Sequence, residues 1–190
     1  MKGREGTNPD GGWSVRVTAP ERTYSAETVT DLRKGINLDR DEIMMHFASF
    51  RKFERPRLVR LGDYYGGKHD ILKGQRSTLK PDNRLVNNFC RSITDCTVGY
   101  FLGIPITYSS DDAGTLRLAA EISSYNDEAF QNSALARDMS VYGRAAELIW
   151  VDGDGVPRFS ALDPTSVFPI MSDSLDEEVR AAVRFYVPRF

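Results

Sequence analysis

Histidine and cysteine are scarce in this chain of 190 residues: His46 and His69 stand far apart, and Cys90 and Cys96 are the two thiols. Two of each, so spaced, do not make a zinc site or a disulfide framework. The cysteines sit six apart in a stretch of helical periodicity, about 9 Å along the axis. That is too far for an undistorted intrahelical bridge, and the reading is buried free thiols in a reducing compartment. No run approaches the roughly 20 apolar residues of a membrane span. The opening M-K-G-R-E-G-T-N-P-D is followed by no apolar core of a signal peptide, which sets the expectation of a cytoplasmic protein or an assembly built there. Gly62, Gly66, Gly67 and Gly74 lack a preceding strand and a following G-K-S or G-K-T, which excludes a phosphate-binding loop.

What is present is an ordinary globular composition, 41% hydrophobic and 27% charged, with a formal net charge of −2. The charge is unevenly placed. Residues 1–95 carry 18 Lys or Arg against 13 Asp or Glu, and residues 96–190 carry 7 against 14, so the halves stand at +5 and −7. Such a chain suits head-to-tail contact between copies or one basic face.

The best organised stretch is residues 83–108, N-R-L-V-N-N-F-C-R-S-I-T-D-C-T-V-G-Y-F-L-G-I-P-I-T-Y. Leu85, Val86, Phe89, Ile93, Cys96 and Tyr100 recur at helical spacing, and a Gly103-Ile104-Pro105 exit leads to an extended arm. This predicts a long central core helix, buried on its apolar face, with Asn83, Asn87 and Asn88 fixing its polar start. Gly99 and Gly103 form a G-x-x-x-G spacing, read as one close helix contact.

Residues 1–38 read as a variable, irregular extension in which only 13–18 alternate like a strand. Asp39 and Glu42 have the spacing of a capping box before a helix bearing Ile43, Phe47 and Phe50 or Met44. Pro56 breaks that helix or enters the first turn of the next, which runs to Gly66-Gly67. Residues 66–82 form a basic loop. Ser109, Ser110 or Asp111 caps a helix over about 112–125, and another spans about 128–142. The period then falls to two: a hairpin over 145–151 and 156–162, an extended piece over 167–171 and a last strand over 179–187. The fold class is α+β, with N-terminal helices followed by a small antiparallel sheet, as one domain over 39–190. The chain stops at Y-V-P-R-F soon after a hydrophobic strand, which reads as a fragment.

Chemistry is harder to find. D-G-D-G at 152–155 opens like a calcium loop, but Val156, Pro157, Arg158 and Asp163 occupy positions that such a loop fills otherwise, so a hairpin turn is the reading. His69 beside Asp70 has no placed nucleophile, and Glu147 is a single carboxylate. No catalytic, cofactor-binding or metal-binding residues are assigned, and no enzyme is expected. Arg51, Lys52, Arg55, Arg57, Arg60, Lys68, Lys73, Arg76 and Lys80 form the one cationic set, assigned to contact with an acidic neighbour such as its 173–178 turn, or with a polyanion.

Several blocks together resemble a known family. D-Y-Y-G-G-K-H-D-I-L (63–72), N-R-L-V-N-N-F (83–89), V-G-Y-F-L-G-I-P-I-T-Y (98–108), Y-N-D-E (125–128), A-R-D-M-S-V-Y-G-R-A-A-E-L (136–148), the D-G-D-G turn and L-D-P-T-S-V-F-P-I (162–170) are similar to the portal proteins of tailed bacteriophages, of the type found in a Bacillus siphophage. The resemblance covers residues 39 to 186. It implies a head–tail connector subunit, usually one of twelve in a ring at a capsid vertex of the virion, assembled in the bacterial host cytoplasm. Double-stranded DNA is packaged and ejected through such a ring, whose partners are other portal subunits, terminase, scaffolding, capsid and head-completion proteins. Family members are longer. The resemblance places these residues in the N-terminal wing, without stem, clip or crown, and with Gly103 and Pro105 as structural positions. Direct DNA binding by this stretch is not implied. The alternatives are a nucleic-acid-binding or adaptor module of a mobile element, and a truncated prophage remnant without portal function.

Overall fold

In a computed structural model of the chain, the described residues are 6–7, 13–19, 22–30, 39–74, 84–171 and 179–186. They form two compact units. One comprises Met1–Pro56 with Thr165–Phe190, and the other is Arg57–Pro164. The protein is α+β, but its strands do not all follow its helices.

The first unit holds β1 (Gly6–Thr7), β2 (Trp13–Ala19), β3 (Arg22–Thr30), α1 (Arg40–Ser49), β6 (Val167–Met171) and β7 (Val179–Tyr186). Its antiparallel sheet has the order β1-β2-β3-β7-β6. Local sequence predicts residues 1–38 to be irregular apart from 13–18; the structure extends that strand to Ala19 and adds β1 and β3. The reason is non-local. β3 pairs over Ser25↔Tyr186 to Thr30↔Ala181, with a partner at the other end of the chain that no local window can reveal.

β7 alternates along its length, burying Ala181, Val183 and Phe185 while Arg180, Ala182 and Arg184 stay half-exposed. Val167, Phe168 and Ile170 of β6 join that core, as do Ile43 and Phe47 of α1 and Phe50 just beyond it. Four phenylalanines meet there. Phe47 stands edge-on to Phe185 with ring centroids 5.0 Å apart, and Phe50 stacks on Phe168 at 5.0 Å. Such pairs contribute ~0.5–1.5 kcal/mol each beyond their buried area. Pro169 sits exposed on β6, an edge strand, where a missing N–H does least harm.

The expected capping box is not made. The Asp39 side chain accepts no hydrogen bond from the helix, and Glu42 instead faces Arg180 of β7 at 3.5 Å. After α1 the chain does not break but widens into a π-helical turn, Phe50–Glu54, before α2 (Arg55–Tyr65). Arg55 N–H bonds back to Phe50 C=O, a five-residue step. The extra residue gives the Pro56 ring room against the preceding carbonyls, so proline enters the first turn of α2 without ending the run.

The second unit holds most of α2, α3 (Phe89–Leu102), α4 (Ala113–Tyr125), α5 (Glu128–Tyr142), and the hairpin β4 (Ala146–Val151) and β5 (Pro157–Leu162). Asp112, one residue beyond the expected caps, starts α4: its carboxylate oxygens accept from Gly114 N–H and Thr115 N–H, both at 3.1 Å. Asp127 takes the left-handed conformation, φ 49°, between α4 and α5, which aspartate tolerates better than most residues. Gly143, φ 73°, closes α5. In the hairpin turn Asp152 Oδ1 accepts from Asp154 N–H at 3.0 Å and Val156 N–H at 2.9 Å. This aspartate therefore closes the hairpin turn read at 152–155.

Candidate interaction surfaces

The polar start of α3 is built around Asn88. Its Oδ1 accepts from Arg91 N–H at 3.1 Å, capping the helix, while its Nδ2 donates to Tyr65 C=O at 2.8 Å, closing the end of α2. One side chain thus joins two helices. Asn87 contributes through its backbone, its C=O accepting from Phe89 N–H at 2.8 Å. Asn83 lies outside the described residues.

The apolar side of α3 does not behave as expected. Its buried residue is Thr94, packed toward α5, where Ser140 Oγ lies 3.5 Å from Thr94 Oγ1. Small polar side chains make that contact. The large ones face outward: Phe89 is 69% exposed, Ile93 67%, Tyr100 95% and Phe101 75%. Cys90 and Cys96 are exposed too. The predicted core helix is therefore a surface helix, and its thiols are not packing residues. Periodicity identifies which residues share a face, but not whether the chain itself covers that face.

The G-x-x-x-G spacing also resolves differently. A Cβ on Gly99 would meet nothing within 4 Å, so no helix approaches there; a Cβ on Gly103 would lie 2.4 Å from Gly99 C=O. Gly103 is required by its own helix's last turn. Beyond it the chain bends at Ile104, and Pro105, Ile106, Thr107 and Tyr108 run as an exposed arm in neither helix nor strand, with the Tyr108 hydroxyl donating to Glu128 at the start of α5.

The cationic set is divided. In the first unit, Arg51 and Lys52 are exposed on the π-helical turn, the Lys52 ammonium 4.9 Å from the Phe53 ring centroid, while Arg55 Nε donates to Thr165 C=O at 3.3 Å. In the second unit, Arg60 and Lys73 both hold Asp70, at 2.9 and 2.8 Å, and Lys68 faces Asp63 at 3.4 Å. Arg57 is exposed. Arg76, Lys80 and the acidic 173–178 turn lie outside the described residues. The Lys73 ammonium, helped by the Tyr64 hydroxyl, holds the Asp70 carboxyl down at about 2. Much of the positive charge read from the sequence is thus satisfied locally.

The hairpin is held by two amides outside it, Asn126 at the end of α4 and Gln131 in α5, whose role the sequence does not reveal. Asn126, 5% exposed, donates through Nδ2 to Ile122 C=O at 2.8 Å and Pro157 C=O at 3.0 Å, and its Oδ1 accepts from Phe159 N–H at 3.2 Å. Gln131 Oε1 accepts from Ala161 N–H at 2.9 Å. These amides occupy the outer edge of β5. The sequence hint was an Asn-Asp break between two helices, which marked a turn but not what the amide would hold. Among the described residues no three His, Cys, Asp or Glu side chains converge as metal ligands, and no helix is long and apolar enough to cross a membrane.

Comparison with curated proteins gives no match. Residues 50–189 match the family described as phage portal protein, SPP1 Gp6-like. That span takes in everything from the π-helical turn to the end of β7, well over half of the chain, and the chain belongs to that family of phage portal proteins.

Proposed function

We propose that this chain is a structural subunit of a portal ring at a capsid vertex of a tailed phage, through which double-stranded DNA is packaged and ejected. The family match over residues 50–189 carries this reading. It contributes wing-type packing surface, and acts by contact with other portal subunits and with the phage proteins that dock on the ring. The outward apolar side of α3 supports the reading, because a helix with Phe89, Ile93, Tyr100 and Phe101 exposed is built for contact. The exposed cations Lys52 and Arg57 contact the acidic half of a neighbouring copy.

Light scattering over a range of concentrations tests the assembly. The expected result is a closed ring of defined mass; a monomer at every concentration would overturn the subunit reading. Reversing Lys52 and Arg57 to glutamate should weaken association at low salt and matter less at high salt, and indifference at both would remove the charge contact. An adaptor that grips DNA directly predicts affinity falling steeply with salt, whereas the local pairing of Arg60, Lys68 and Lys73 favours contact between proteins.

A further inference from the structure

The second unit contains two unfinished pieces of sheet. The first is the outer edge of β4. The hairpin register opposes Ile149 to Phe159, Glu147 to Ala161 and Val151 to Pro157. Phe159 N–H and Ala161 N–H turn away from β4 to Asn126 and Gln131. These are therefore the non-hydrogen-bonded pairs of the ladder, and the backbone groups of Glu147, Ile149 and Val151 must also turn away, toward the far edge. Among the described residues the sheet ends there at two strands. Side chains at 147, 149 and 151 share one face, with Ile149 70% and Val151 64% exposed. One edge of the hairpin is filled by amide side chains, and the other is open among the described residues.

The second piece is the arm after α3. Among the described residues, the backbone N–H and C=O groups of residues 104–107 have no hydrogen-bond partner. Ile104, Ile106 and Tyr108 recur with a period of two and are 83%, 53% and 52% exposed. A segment outside helix and sheet, with apolar residues at a period of two and free backbone groups, has the chemistry of a strand awaiting a sheet once the bend at Ile104 opens.

We propose that the arm of one copy adds to the β4 edge of a second copy as an antiparallel strand, with Ile104 opposite Val151, Ile106 opposite Ile149 and Tyr108 opposite Glu147. Proline sets the register. Pro105 has no N–H to give, so the arm pairs without loss when residues 104, 106 and 108 turn their backbone groups to the edge and Pro105 turns away. That choice also brings the exposed apolar faces of arm and strand to the same side of the new sheet. The arm follows directly from Tyr100 and Phe101, 95% and 75% exposed. With them, the apolar area on the two surfaces is on the order of 1,000 Å², enough for a specific interface. Because the two surfaces differ, the contact is head-to-tail and can close a ring. The inference rests on the subunit reading above in taking the neighbour to be a copy of this chain.

The test uses the full chain with Cys90→Ser and Cys96→Ser. One preparation carries Ile106→Cys and another Ile149→Cys, and the two are mixed under mild oxidation. The expected product is a disulfide-linked pair of the two variants, several-fold above what either forms alone and above a control in which exposed Leu118→Cys replaces Ile106→Cys. A yield equal to the control overturns the strand pairing, as does a double variant that closes only within one chain. Light scattering on the unsubstituted chain separates the two failures. A ring without the crosslink leaves the subunit reading standing and removes this contact, and a monomer without the crosslink removes both. Ile149→Lys, exposed and outside the hairpin core, should lower the associated fraction at a given concentration if the pairing is right, and leave it unchanged if it is wrong.

Discussion

Asn126 is the side chain on which the hairpin depends most. Replacing it with alanine takes the partner from Pro157 C=O, at an exposed residue, and from Phe159 N–H, at a half-buried one, at about 0.5–1.5 kcal/mol for each hydrogen bond lost. Chemical denaturation measures this, and a loss below ~0.5 kcal/mol, the ordinary scatter of surface changes, would show that water replaces the amide. Asp70 makes a different prediction. Its folded pKa lies at about 2 against an ordinary 3.8, chiefly because Lys73 and Tyr64 donate to it. A depressed carboxylate stabilises the fold above the ordinary value and loses that contribution as pH falls through the folded one. The stability difference between the wild-type protein and Asp70→Asn should thus be largest above about pH 4 and vanish toward about pH 2. Salt should shrink it, since the groups are exposed; a difference constant across that range would rule out the ion cluster as its source. Neither role could be read from the sequence, where Asn126 marked a break and Asp70 only a neighbour of His69. Their partners lie on other elements.

Among the elements, α3 makes the sharpest case for what a sequence does and does not reveal. Its asparagine cap region and its exit at Gly103 were legible, because each follows from local backbone chemistry, but its start was not: Leu85 and Val86, which fit the helical period, precede the helix, which begins at Phe89. Its burial was not legible either, because the residues at 89, 93, 100 and 101 need a cover that the described part of the chain does not supply. The two glycines of this helix predict opposite effects. Gly99→Ala, in open space in mid-helix, should stabilise by roughly 0.5–1 kcal/mol through helix propensity. Gly103→Ala sets a methyl group 2.4 Å from Gly99 C=O and should destabilise by about 1–3 kcal/mol. Thermal unfolding of the two variants checks the pair; destabilisation by both would restore the close-contact reading of the spacing. The hairpin strands, β6 and β7 were legible for the same local reason as the helix ends, whereas β3 was not, lacking a clean alternation and depending on β7 for its edge.

For the whole molecule, the two compact units predict that damage to one spares the other. Phe185→Ala, in the four-phenylalanine core, should cost the first unit ~3–5 kcal/mol. The two tryptophans are suited to report it, since Trp13 belongs to the first unit and Trp150 to the second. In single-tryptophan backgrounds the unfolding transition seen by Trp13 should shift and that seen by Trp150 should not. Movement of both together would mean that the units unfold as one. The pairing of β3 with β7 has a further consequence, in time. The first unit is discontinuous: its sheet joins residues 25–30 to residues 181–186, with the whole of the second unit made between them. At the usual pace of synthesis the ribosome takes roughly 10–30 s to cover that interval. For that long β3 has an open edge and its partner does not yet exist, so the risk of pairing with the wrong strand falls on the newborn chain rather than on the finished protein.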